Sequence, residues 1–328
     1  MSRFFSIRFF PGWMLLFLLL VFLFPFWGSQ KISLTEALDN PEGLDRLILV
    51  HIRLPRVIFA WAVGAGLALV GAVYQVVLRN ALASPYTLGV SSGGALGAVL
   101  AIKLGLAVSF GFLSTVALFS ILGSLLAIGL IFYLTRFWKQ ASVYNIILLG
   151  VAFSFFFSAL NMLLHYLADF TETFKMIRWV MGALDVAGWA YPLTALGLTL
   201  AGALYFLWHY RHFNVLLTGE ELAKSKGVDV DRLQKHSLIF GAVLAGFYVA
   251  LAGPIGFVGL VIPHMIRMMF GANHKYLFWG ALMLGGLFLT LSDTIARMLI
   301  SPAEIPVGIV TAFLGGPFFV YLLIRQSH

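Results

Sequence analysis

Nine stretches of this chain carry no acidic, lysine or arginine side chain: residues 9–30, 57–78, 80–102, 104–135, 140–168, 186–210, 236–266, 276–292 and 305–324. A bilayer core takes roughly 20 apolar residues as a helix, and nearly every stretch is long enough. Breakers and charges then predict ten spans, at 9–27, 53–78, 88–102, 110–134, 143–167, 190–208, 237–251, 255–270, 276–299 and 307–324. The first follows Arg3 and Arg8 but ends in FPFWGSQ, without a small-x-small cleavage pattern, and reads as a retained span. The second and third are rich in small residues suited to close helix packing. The eighth is short and contains Pro263, His264 and Arg267. If it crosses, His274, Lys275 and Arg325 fall inside, as the positive-inside tendency requires.

The polar segments between the spans have signals of their own. Ser33 followed three residues later by Glu36 makes a capping box and predicts a short helix before Asn40-Pro41. A second short outer helix is expected around 174–181. The longest polar segment is 211–235, RHFNVLLTGEELAKSKGVDVDRLQK, between spans six and seven. Thr218 with Glu221 reads as a capping box, and Glu220 and Glu221 suit the positive end of the helix dipole. Lys224 and Lys226 occupy the last turn, and Gly227 supplies the stop. The helix so predicted is about two turns, roughly 12 Å, long. Gly219 and Ala223, four apart, put almost no side chain on one face, so a partner could approach it closely.

Composition confirms the class. The chain is 61% hydrophobic and 10% charged, where soluble domains carry about 25% charged residues. The expectation is an all-α polytopic membrane protein, one domain over 1–328. Ten spans put both termini inside, together with thirteen of the 21 basic residues and only four of the 13 acids. The net charge of +8 therefore belongs to topology, and no basic run interleaved with aromatics suggests nucleic acid. With no cysteine, disulfides and thiolate chemistry are excluded. The eight histidines have no metal-ligand spacing, and no GxxxxGK(S/T) phosphate loop exists. No catalytic or metal site is expected, and no cofactor is bound by this chain. If ATP drives it, another chain binds the nucleotide.

Some charges sit where topology disfavours them. Arg53 and Arg56 begin span two at its outer end, and Arg297 lies near the outer end of span nine. Either they snorkel to headgroups or they form a basic rim for an acidic partner or an anionic ligand. Asp293, one turn before Arg297, can pair with it at i, i+4. Arg267 is expected to reach the inner headgroups.

Four motifs, in order, resemble the FecCD-type permeases of ABC importers for iron siderophores, haem and vitamin B12. They are RLPRVIFAWAVGAGLALVGAVYQVVLRNALASPYTLGVSSGGALGA at 53–98, GPIGFVGLVIPHMIRMMFGANHK at 253–275, LSDTIAR at 291–297 and EIPVGIVTAFLGGPFF at 304–319. The resemblance implies a ten-span, type II importer permease in a bacterial or archaeal cytoplasmic membrane. It also implies a second permease copy, two cytoplasmic ATP-binding cassette subunits using ATP and Mg, an external substrate-binding protein, and a bulky chelate as cargo. By the same resemblance the 211–235 loop carries the coupling helix, matched at Gly219, Glu220, Glu221, Ala223 and Gly227. Arg53, Arg56 and Arg297 fit residues that meet acids on the binding protein. Asn80, Leu82 and Ser142 fit the cytoplasmic gate. Lys226 stands where leucine is usual, and Ala81 where proline is usual. The alternative is an ion-gradient-driven secondary transporter, whose coupling site would have to use Asp293, Arg267 or His165.

Overall fold

The computed structural model describes residues 10–28, 32–40, 42–106, 109–110, 113–135, 143–300 and 303–326. Helix α1 (Phe10–Leu23) is followed by the short α2 (Leu34–Asp39) and α3 (Leu44–Leu47). Ser33 Oγ accepts the Glu36 N–H at the start of α2, as the sequence predicts. A π-helical segment, Ile48–Arg53, joins α3 without a break to α4 (Leu54–Val77). Then come α5 (Val90–Lys103), a two-strand hairpin β1 (Ser109–Phe110) and β2 (Leu113–Ser114), α6 (Thr115–Thr135) and α7 (Val143–Tyr166). The short α8 (Phe170–Val180) precedes α9 (Ala190–Trp208), α10 (Tyr210–Leu216) and α11 (Glu220–Ser225). The chain closes with α12 (Val230–Ala252), α13 (Val258–Phe270), α14 (His274–Met298) and α15 (Val307–Gln326).

Each of the ten predicted spans coincides with one of these helices. Among the described residues six helical segments are long and apolar enough to cross a membrane, and α1, α5, α13 and α15 are shorter apolar helices. The protein is a multi-pass, all-α membrane protein. Span seven begins earlier than predicted because Asp229 accepts the Arg232 N–H at 3.0 Å and caps α12. Asp231, Arg232 and Lys235 are therefore the first turns of a long helix rather than loop. The short helix α8 also starts early, on a full capping box between Asp169 and Glu172. Lys103 Nζ donates to Glu172 at 2.7 Å and ties α8 to α5.

Helix α4 is the centre of the molecule, with nearly all of its residues buried. Lipid is as apolar as leucine, so helices associate here through close packing and hydrogen bonds rather than through a hydrophobic effect. Small residues supply the closeness. A Cβ on Gly71 would lie 1.9 Å from the Gly259 carbonyl oxygen on α13, and one on Gly64 would lie 2.4 Å from that of Gly285 on α14. Gly66 leaves room for the Tyr248 ring of α12, whose hydroxyl is 2.8 Å from Thr199 Oγ1 on α9. Thr199 in turn donates to the Ala62 carbonyl at 2.8 Å. The α5–α6 pair repeats the device, with Gly93 and Gly123 against each other's backbone.

Two outcomes are expected. Gly71→Ala should cost about 1–3 kcal/mol through overpacking, read as a lowered thermal midpoint in detergent, whereas Gly129→Ala, with nothing within 4 Å of the new methyl, should not lower it. The hydrogen bond from Lys103, assisted by the Asp169 backbone N–H, holds the Glu172 carboxyl below its ordinary range. A depressed carboxyl contributes stability that is present above its unfolded pKa and is lost as pH falls through the folded value. Glu172→Gln should therefore flatten the acid limb of the stability–pH curve without changing its neutral plateau's shape.

Candidate functional site

The two ends of the α4–α14 pair carry the polar chemistry. At one end lies the 211–235 segment. Helix α10 is anchored by Asn214, whose Oδ1 accepts from the His274 backbone N–H at 2.8 Å and lies 2.9 Å from His274 Nδ1. Its Nδ2 donates to Asn273 Oδ1 at 3.2 Å. Beside it, Phe213 is fully buried and packs on Phe206, His274 and Phe278. Sequence reasoning missed this clamp, because a lone asparagine ahead of the predicted helix carries no motif.

Helix α11 forms where expected, but six residues give it only about 9 Å. Its predicted cap is corrected. Thr218 Oγ1 donates back to the Val215 carbonyl at 2.7 Å, finishing α10. The N-cap is Gly219, at φ 114° and without a side-chain acceptor. A residue with Cβ is strained there, so glycine sets the entry angle. Gly227, at φ 81°, terminates the helix as predicted. The small face is also corrected: Ala223 is fully buried against the chain's own core. Helix α11 thus rests on Ala223 and presents Glu221, Leu222, Lys224 and Ser225 outward, with Lys226 exposed at its end. Lys224 Nζ reaches Asp231 at 3.1 Å.

The turn after α4 lies beside α11, since Arg79 Nη2 is 3.4 Å from Glu220 Oε1. Within it Asn80 Oδ1 accepts the Leu82 N–H at 2.8 Å, and the Leu82 side chain is exposed. Ser142 lies outside the described residues. Deeper in, Gln75 completes α13. Pro263 lacks the N–H that would bond the Gly259 carbonyl four residues back. Gln75 Nε2 donates to Gly259 O at 3.3 Å and to Leu260 O at 3.2 Å instead. Its Oε1 accepts from Arg267 Nη2. Arg267 therefore turns into the protein rather than out to headgroups, because the Gln75 amide oxygen, whose nitrogen is already committed to α13, offers it an acceptor on α4.

The opposite end holds the unexpectedly placed arginines. Arg53, Arg56 and Arg297 are all buried, so they do not form an exposed basic rim. Asp293, only 1% exposed, accepts from Arg56 Nε at 3.2 and 3.1 Å and from Arg56 Nη2 at 2.9 Å. Arg297 Nε adds a bond at 3.1 Å, the predicted i, i+4 pair. Arg56 Nη1 reaches Glu304 at 2.9 Å and lies 3.8 Å from Asp185. Arg53 donates to the Pro25 carbonyl at 3.2 Å. Two cations on one buried carboxylate explain why the arginines turn inward. The rim itself shows the half-exposed carboxylates Asp185 and Glu304 and the exposed Arg178, which pairs with Asp185 at 3.1 Å. With Asp293 and Arg267 both engaged inside the chain, neither is left as a ready ion-coupling group.

Between the ends, a cavity of about 480 Å³ is lined by Tyr86, Thr87, Pro254, Phe257, Leu260 and Phe313, among others. Residues of the α4–α5 connection (Ser84, Tyr86, Thr87) and of the α12–α13 connection (Pro254, Gly256, Phe257) border it.

Comparison with known proteins agrees with this architecture. The model of the FecCD transport family matches residues 15–325. An uncharacterised ABC transporter permease of Bacillus subtilis is 40% identical, over 86% of this chain and 80% of its own. The hemin transport system permease protein of Yersinia pestis is 38% identical over 97% of both chains. A solved structure described as an inward-facing conformation of a metal-chelate type ABC transporter superposes with a TM-score of 0.86 at 33% identity, covering 96% of this chain and 99% of that one.

Asp293→Ala should strand two buried guanidiniums and cost about 3–5 kcal/mol. Glu304→Gln removes only a half-exposed partner and should cost about 0–1 kcal/mol. Thermal unfolding of the two variants in detergent tests the ranking, and equal costs would contradict it.

Proposed function

This chain belongs to the FecCD transport family, and we propose that it is the membrane permease of an ABC importer carrying a bulky metal chelate. The cargo class is a ferric siderophore, haem or a corrinoid. ATP and Mg are used by two separate ATP-binding cassette subunits. A second permease copy completes the pathway, and an external binding protein delivers the cargo. The 211–235 end faces the cytoplasm with both termini, in a bacterial or archaeal cytoplasmic membrane.

One observation carries the reading. Helix α11 is seated on the buried Ala223 and offers Glu221, Leu222, Lys224 and Ser225 to solvent, beside Gly219 and the exposed Lys226. Six residues are too few for a helix to persist alone in water, so its shape is held from beneath while its outer face stays free for a partner. If ATP drives transport, the nucleotide is bound by another chain, since the sequence has no phosphate loop, and α11 is the surface we assign to it. Asn80 and Leu82, with Ser142, act as the cytoplasmic gate. Arg53, Arg56 and Arg297 act from below the outer surface, where an acidic partner would compete with Glu304 for Arg56.

Leu222→Glu should reduce ATP-dependent uptake roughly tenfold, equivalent to about 1.4 kcal/mol of docking, with the thermal midpoint of the permease unchanged. Uptake at the wild-type rate in vesicles containing the whole complex would refute the docking role. Ala223→Leu differs: it should lower the thermal midpoint, because it overpacks a buried position.

A further inference from the structure

Arg79 sits in a conformation that its residue type disfavours. Its φ is 45°, and it is one of two non-glycine residues with positive φ among the described residues. Glycine adopts this region without a Cβ penalty; here the conformation closes α4, with the Arg79 N–H on the Val76 carbonyl at 3.2 Å and the Asn80 N–H on the Gln75 carbonyl at 3.1 Å, and an arginine in glycine's usual place brings a long side chain to the helix end. That side chain spans two elements. Nη2 lies 3.4 Å from Glu220 Oε1, and the same oxygen accepts from Gln234 Nε2 on α12 at 3.2 Å. Glu220 is the first residue of α11.

The backbone of Arg79 leads directly into Asn80. The Asn80 N–H donates to the Gln75 carbonyl at 3.1 Å, and its Oδ1 accepts from Leu82. The turn is thus a stiff unit hung on the inner end of α4, and the Arg79 guanidinium is its handle toward α11. Helix α10 cannot serve as that handle, because Asn214 clamps it to the start of α14. Both side chains of the pair are about two-fifths exposed, at 44% and 39%. An ion pair so wet adds little to stability, which suits a contact that transmits position rather than one that holds the fold.

We propose that Arg79 is a positioning residue, carrying displacement of α11 to the 79–83 turn through its ion pair with Glu220. The proposal deepens the reading of α11 as the ATPase contact and of Asn80 and Leu82 as the gate, and it rests on that reading.

The test uses the whole complex in proteoliposomes, with permease, ATPase and binding protein, and with haemin, a ferric hydroxamate and cobalamin as cargo probes. The quantity read is cargo moved per ATP hydrolysed. Arg79→Gly relieves the backbone and removes the guanidinium. A purely structural role predicts equal or better stability and normal coupling. The transmission role predicts an unchanged or raised thermal midpoint with coupling reduced at least about fivefold, the lower end of ordinary coupling effects. Arg79→Glu and Glu220→Arg should each uncouple, and the double reversal should recover a large part of the loss. Normal coupling in Arg79→Gly, or a double reversal no better than its parents, would overturn the proposal. Leu222→Glu separates the two levels. If it uncouples while Arg79→Gly does not, only the transmission role falls. If the wild-type complex shows no ATP-dependent uptake, or Leu222→Glu leaves uptake normal, the underlying reading falls as well.

Discussion

Everything in this molecule depends on how closely other helices approach α4. In lipid no hydrophobic force drives helices together, so contact has to come from backbone touching backbone. At Gly71 and Gly64 the neighbouring carbonyls of Gly259 and Gly285 occupy space that any side chain would need. Four partners, α9, α12, α13 and α14, converge on this one helix. Its sequence reflects that: it is almost entirely apolar, eight of its 24 residues are Gly or Ala, and Gln75 is a rare polar exception near its C-terminal end.

Gln75 shows why the exception exists. A proline in α13 frees the buried carbonyl of Gly259, and leaving a buried acceptor unsatisfied costs about 1–3 kcal/mol. One amide on α4 serves the freed carbonyl with its nitrogen and Arg267 with its oxygen. Packing and polar satisfaction are therefore the same contact at this point. The α4–α13 junction has one register in which both are met, and it lies next to the turn that leads toward α11.

The charged groups divide by burial. At one end of the α4–α14 pair Asp293 is buried and shared between two arginines, and such a site is rigid because any member left alone would be an uncompensated charge. At the other end Arg79, Glu220, Lys224 and Asp231 are partly or largely exposed, and their pairs can open at little cost. One end is thus locked and the other adjustable.

Much of this was legible in the residues alone. Nine charge-free runs, the breakers within and between them, the asymmetry of positive charge and four ordered motifs determined the class, the ten long or apolar helices, the family and the location of α11, because hydropathy, helix length and glycine stops are local properties. Local rules also read Gly227 and the Asp293–Arg297 pair correctly. They misread Thr218, since a hydroxyl can cap the next helix or close the previous one, and only the path of the chain chooses. They misread Ala223, which is small on both readings but is buried against the core rather than offered to a partner. The arginines lie together at the end opposite the 211–235 segment, but they are buried rather than exposed as a rim, because pairing Arg56 with Asp293 joins residues far apart in sequence. Tertiary structure alone decided those pairings, the Gln75 bridge and the meeting of Arg79 with Glu220: a side chain's partner across the fold depends on which helices can touch, and that is set by packing around α4.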